Sequence, residues 1–87
     1  CGGIYQACKA LAVAEAAGLP CILGSMGEST IGSMAGVHLV TAKSALTACE
    51  AIGPLFINND PAEGFLVDMT TFQALPSDVA GLGVQLK

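Results

Sequence analysis

One stretch gathers the residue types from which proton chemistry is built: Gly24-Ser25-Met26-Gly27-Glu28-Ser29-Thr30. It follows a short apolar run, Cys21-Ile22-Leu23, and precedes a helical pattern. In parallel α/β structures that place, the carboxyl end of a strand, is where ligands bind. A carboxylate in a low-dielectric pocket there has its pKa raised and can donate a proton. Glu28 is therefore a candidate acid. The competing reading is a first-turn acid that complements the dipole of the next helix, and spacing alone favours it. Two other chemistries fail. A nucleophile elbow at Ser25 needs a glycine where Leu23 stands, and no histidine follows His38 to complete a triad. A phosphate cradle lacks the Walker lysine, and Glu28 would repel the anion.

The remaining reactive types are less organised. His38 falls on the apolar side of a helical pattern and reads as a core histidine with its ring hydrogen-bonded; as a metal ligand it lacks partners. The four cysteines, Cys1, Cys8, Cys21 and Cys49, form no C-x-x-C and no zinc spacing. They read as buried free thiols in a reducing cytoplasm. Asp60, Glu63, Asp68 and Asp78 lie in turns or at turn edges and read as solvated turn acids. Glu50 stands in an otherwise apolar strand candidate and is expected to pair with a group this chain lacks.

The elements that must position these residues follow from periodicity. Ile4, Cys8, Leu11 and Glu15 share one side of an alanine-rich helix that should stop at Gly18, with Pro20 just beyond. Cys21-Ile22-Leu23 reads as a fully buried strand. A second helix is expected from Ile31 to about Ser44, capped by Ser29 or Thr30, with Ile31, Met34, Ala35, His38, Leu39 and Ala42 inward. Leu46 to Glu50 is a strand candidate ending at Gly53-Pro54. Beyond the turn at Asn58-Asn59-Asp60-Pro61, short extended pieces are expected at 65–67, 70–75 and 81–86. Helix, strand, loop, helix, strand is the α/β pattern of a parallel sheet with crossovers. Two strands cannot bury both faces or close a barrel.

Composition points the same way. The 87 residues are 53 % hydrophobic and only 11 % charged, where a soluble domain carries about 25 % charged residues. Disorder is excluded. The longest uncharged stretch, Ser29 to Ala42, is 14 residues, short of the roughly 18 to 20 that a membrane span needs. A net charge of −4 with three scattered lysines and no arginine excludes nucleic acid and anionic membrane surfaces as partners. With no charged region followed by an apolar stretch at the start, no signal peptide is expected. The expectation is a single partial domain over residues 1–87, a slice of a larger core or an obligate partner of another chain.

An ordered set of residues is also familiar. Gly2-Gly3-Ile4, Ala16-Ala17-Gly18-Leu19-Pro20, Gly24 through Gly32, Ala35, His38-Leu39, Glu50, Gly53-Pro54-Leu55-Phe56 and Gly81-Leu82-Gly83-Val84 resemble the C-terminal part of the muconate-lactonizing branch of the enolase superfamily. The resemblance runs over essentially the whole chain. It implies the C-terminal segment of a modified TIM barrel, from the sixth helix through the eighth strand, with a tail returning toward a capping domain.

The resemblance further implies an enolate intermediate held on Mn²⁺ or Mg²⁺. The base lysines and metal ligands of the family would lie before Cys1, and Lys9 and Lys43 do not match them. Only the family's glutamate at the end of strand seven has a counterpart here, Glu28. It would be the proton donor or the hydrogen-bond partner of the donor, with Ser25 and Met26 beside it in contact with substrate. Gly27 departs from the family, since cycloisomerases often carry a leucine there. The expected activity of the parent protein is cytoplasmic isomerisation in aromatic catabolism: lactonization of muconate or a substituted muconate. A racemase, epimerase or dehydratase of the same superfamily is the alternative. In another class, the chain would be a non-catalytic truncated product that self-associates. The isolated chain is expected to be inactive. Its partners would be a small carboxylate substrate in the parent, and the rest of the barrel or another copy of itself.

Overall fold

The alanine-rich start of the chain does form a helix, and it ends by the mechanism the sequence foreshadows. In the computed structural model, which describes residues 1–87, α1 spans Ile4–Ala16. Gly18 takes a left-handed φ of 69°. Its N–H donates to the Glu15 carbonyl and the Leu19 N–H to the Ala14 carbonyl, both at 2.9–3.0 Å. These paired bonds satisfy carbonyls that the helix end would otherwise orphan.

The chain then enters β1, Cys21–Leu23, crosses through α2, Thr30–Ala42, and returns as β2, Leu46–Cys49. β1 and β2 pair in parallel, with Cys21 opposite Leu46 and Leu23 opposite Cys49. The Glu50 N–H donates to the Leu23 carbonyl at 2.9 Å, carrying the pairing one residue further. Leu11, Leu39 and Leu46 meet as the core where α1, α2 and β2 converge, with Ala7, Cys8, Cys21, Leu23, Val40 and Ala45 packed around them. The expected α/β segment, two parallel strands with their helices and an extended tail, is the architecture observed.

Three expectations are corrected. β1 is not fully buried: Cys21 and Leu23 are half-buried, and Ile22 between them is 57 % exposed. The helices cover one face of the β1–β2 pair and leave the face carrying Ile22 open. None of the four thiols is buried either. Cys8 and Cys21 are half-buried, Cys1 and Cys49 are exposed, and all four are free. Finally, α2 stops at Ala42, two residues early, because Lys43 turns extended and its carbonyl accepts from the Leu46 N–H. Its buried stripe is Thr30, Ser33, Met34, Val37 and Leu39. Met34 and Leu39 were expected inward; His38 is only half-buried, and Ala42 is exposed.

After β2 a single 3₁₀ turn, Gly53–Leu55, leads into the tail. β3, Ala62–Glu63, pairs antiparallel with β6, Gln85–Leu86. β4, Leu66–Asp68, and β5, Gln73–Leu75, form a hairpin between them. Its turn is closed by the Asp68 carboxylate, which accepts from the N–H groups of Thr70 and Thr71. These bonds hold the Asp68 carboxyl below its ordinary value. No helix is long and apolar enough to cross a membrane.

Candidate functional site

The loop between β1 and α2 is where the candidate residues meet. It is ordered by its own side chains. The Ser25 hydroxyl donates to Glu28 Oε2 at 2.7 Å. The Met26 N–H donates to both carboxylate oxygens at 3.0 Å. Ser25 Oγ in turn accepts from the Gly27 N–H at 3.3 Å. Gly27 makes the turn with φ of 81°, a conformation that costs a residue bearing a Cβ about 1–2 kcal/mol. That backbone requirement gives a local reason for the glycine.

The electrostatics invert one expectation. Glu28 is exposed, and its pKa is lowered from the ordinary 4.5, not raised. The hydrogen bond from Ser25 is the largest cause; the N–H groups of Glu28 itself and of Met26 add to it, and burial opposes weakly. Donors aimed at the charged form stabilise it. Glu28 in this chain is an ionised acceptor near neutral pH and not a poised acid.

The backbone of the loop is held from further away. Ser33, buried in the first turn of α2, donates its hydroxyl to the Glu28 carbonyl at 3.3 Å. The N–H of Thr30 donates to Asp60 Oδ2 at 2.8 Å, and Asp60 Oδ1 accepts from the Ala62 N–H at 3.1 Å. Asp60 thus caps α2 from 30 residues away, while neither Ser29 nor Thr30 caps with its own side chain. Burial alone would raise the Asp60 carboxyl. The Thr30 and Ala62 N–H groups outweigh it, with help from the Thr30 hydroxyl and the charge of Lys87, and hold it below its ordinary 3.8. Asp60 is therefore not a merely solvated turn acid. Nothing local in Asn58-Asn59-Asp60-Pro61 signals a partner so distant in sequence.

The Met26 side chain is 95 % exposed, and only its N–H engages Glu28. The other candidates lie apart. His38 is hydrogen-bonded as expected, its Nε2 lying 3.3 Å from the Leu82 carbonyl, which ties α2 to the tail. Glu50 is exposed just past β2. An open apolar groove runs between α2, the segment after β2 and the β4–β5 hairpin, lined by Val37, Ile52, Leu55, Phe65 and Phe72 among others. Ser25, Met26 and Glu28 do not line it. No group of three His, Cys, Asp or Glu side chains is arranged to hold a metal ion. The residues present do not fit the divalent metal that the resemblance implies.

Comparison with known proteins explains the architecture. A family model described as "Enolase C-terminal domain-like" matches residues 1–87. The chain is 47 % identical over 60 residues to N-succinyl-L-Arg/Lys racemase of Bacillus cereus, covering 69 % of this chain and 16 % of that protein. It is 35 % identical to the L-Ala-D/L-Glu epimerase of Clostridium acetobutylicum, over 97 % of this chain and 23 % of the relative. Chloromuconate cycloisomerase of Cupriavidus necator is 36 % identical, over 98 % and 23 %. The crystal structure of the B. cereus racemase superimposes with a TM-score of 0.81 at 37 % identity, covering all of this chain and 23 % of that one. The chain thus spans about a quarter or less of the length of the relatives it matches. Those relatives include racemases, epimerases and cycloisomerases, and the superfamily generally uses a divalent metal. With one architecture and one family model running from Cys1 to Lys87, the chain belongs to the enolase C-terminal domain-like family.

Proposed function

We propose that residues 1–87 supply the β1–α2 loop of a racemase or epimerase acting on an N-acyl amino acid or a dipeptide, and that Glu28 takes part in its proton transfer. The observation that carries this reading is the prepaid geometry of Glu28. Its carboxylate stands at the carboxyl end of a parallel strand, already bonded to Ser25 and Met26, in a chain whose matches include a racemase and an epimerase. The 47 % identity to the racemase over 60 residues favours that branch. Because hydrogen bonds keep Glu28 ionised, its role is the acceptor that orients and charges a proton-carrying group brought by the rest of the site. Ser25 and Met26 border the substrate.

The test is made on the intact protein that carries residues 1–87, with Mg²⁺ or Mn²⁺ in deuterium oxide. N-succinyl-arginine and L-Ala-L-Glu should exchange their α-proton, followed by NMR. Glu28→Gln should slow that exchange about 100-fold or more, within the range spanned by acid–base groups. Muconate lactone formation without α-proton exchange would overturn the racemase reading in favour of a cycloisomerase. Full exchange in Glu28→Gln would remove Glu28 from the reaction.

A further inference from the structure

We propose that the segment following β2 is a clamp on the β1–α2 loop, and that Gly53 and Asp60 are the positioning residues through which it fixes Glu28. The inference rests on the placement of Glu28 in the reaction and adds what holds it there.

Two independent contacts converge on one short stretch of backbone. Gly53 is buried at the start of the 3₁₀ turn. A Cβ on Gly53 would overlap the Glu28 carbonyl oxygen and would stand 2.7 Å from the Glu28 nitrogen and 2.9 Å from the Gly27 carbonyl carbon. These are backbone atoms and cannot swing aside as a flexible side chain does. Two residues past Glu28, Asp60 Oδ2 takes the Thr30 N–H at 2.8 Å. Its other oxygen is used by Ala62 at the start of β3. One carboxylate therefore joins the first turn of α2 to the tail sheet.

The loop's own bonds, from Ser25 and Met26 to the Glu28 carboxylate, set the side chain relative to the loop. They cannot set the loop relative to the rest of the fold. That is done by Ser33 from within α2 and by Gly53 and Asp60 from the segment after β2. A displacement of about 1 Å at a reacting group can cost about 100-fold in rate even when the change lies away from the chemistry. The two residues share one task without touching substrate.

The experiment compares Asp60→Ala, Asp60→Asn and Gly53→Ala in the intact protein by amide hydrogen exchange and by kinetics. Exchange over residues 24–30 should rise about tenfold or more in Asp60→Ala and Gly53→Ala, while α1 and β2 keep their protection. The kcat should fall about 10- to 100-fold with KM within about twofold. Asp60→Asn keeps one acceptor oxygen and should recover part of the loss. If Gly53→Ala does not fold, the two Asp60 variants carry the test. Unchanged exchange over 24–30 in Asp60→Ala overturns the clamp, as does a loss in which KM rises as much as kcat falls. Full activity in Glu28→Gln would instead overturn the assignment of Glu28, and the exchange measurement would still decide the clamp.

Discussion

Glu28 shows how far one residue's chemistry follows from its position and where it departs. Its place at the carboxyl end of a strand was readable from the order of elements. Its protonation was not, because that depends on three donors folded back within its own loop: Ser25, Met26 and the Glu28 N–H. A pKa lowered below 4.5 means that the ionised form is kept as pH falls and is lost only when pH passes through the folded value. Activity that needs ionised Glu28 should therefore persist on the acid side to below about pH 4.5. Ser25→Ala removes the largest stabilising bond, so the acid limb of kcat/KM should move upward in pH. An unmoved limb in that variant would mean that the Ser25 hydrogen bond does not govern the charge on Glu28.

At the level of elements, the legible parts are those decided by local rules. Alanine content and Gly18 give α1 and its end. The apolar run before Gly24 gives β1, and the helical spacing from Ile31 gives α2 to within a residue at its start and two at its end. Short extended pieces near 65–67, 70–75 and 81–86 emerge as β4, β5 and β6. Their antiparallel pairings were not readable, nor were the contacts of Gly53 and Asp60 with the β1–α2 loop. Each joins residues far apart in sequence, and no local pattern reports it. The same limit misplaced the inward stripe of α2. Spacing chose Met34 and Leu39 correctly but also His38 and Ala42, whereas the turn after β2 and the tail sheet draw Ser33 and Val37 inward as well. Met34 is completely buried and is the largest side chain so enclosed. Met34→Ala should cost about 2–5 kcal/mol, the range for large-to-small changes in a packed core. Chemical denaturation of the intact protein measures it. A cost under about 1 kcal/mol would mean that α2 is not seated as described.

For the whole molecule the decisive fact is how little is enclosed. Only 9 of 87 residues are buried, while Ile22, Leu55, Phe56, Phe72 and Leu86 are among 15 large apolar side chains left exposed. Parallel sheets occur almost only with both faces covered, yet β1 and β2 have one partner each and an open face at Ile22. A low charge content with this surface is the composition of a core wedge, where strand and helix faces meet apolar neighbours and need no charge. The relatives, of which this chain matches about a quarter, supply such neighbours in their remaining length. Set free in water, residues 1–87 should instead meet each other, since exposed sheet edges and large apolar patches favour association. Sedimentation at micromolar concentration should show dimers or larger species, and an apolar dye should bind. Ile22→Lys, placed on the open face, should shift the distribution toward monomer. A clean monomer for the unmodified chain would mean that the faces exposed here close on themselves in solution.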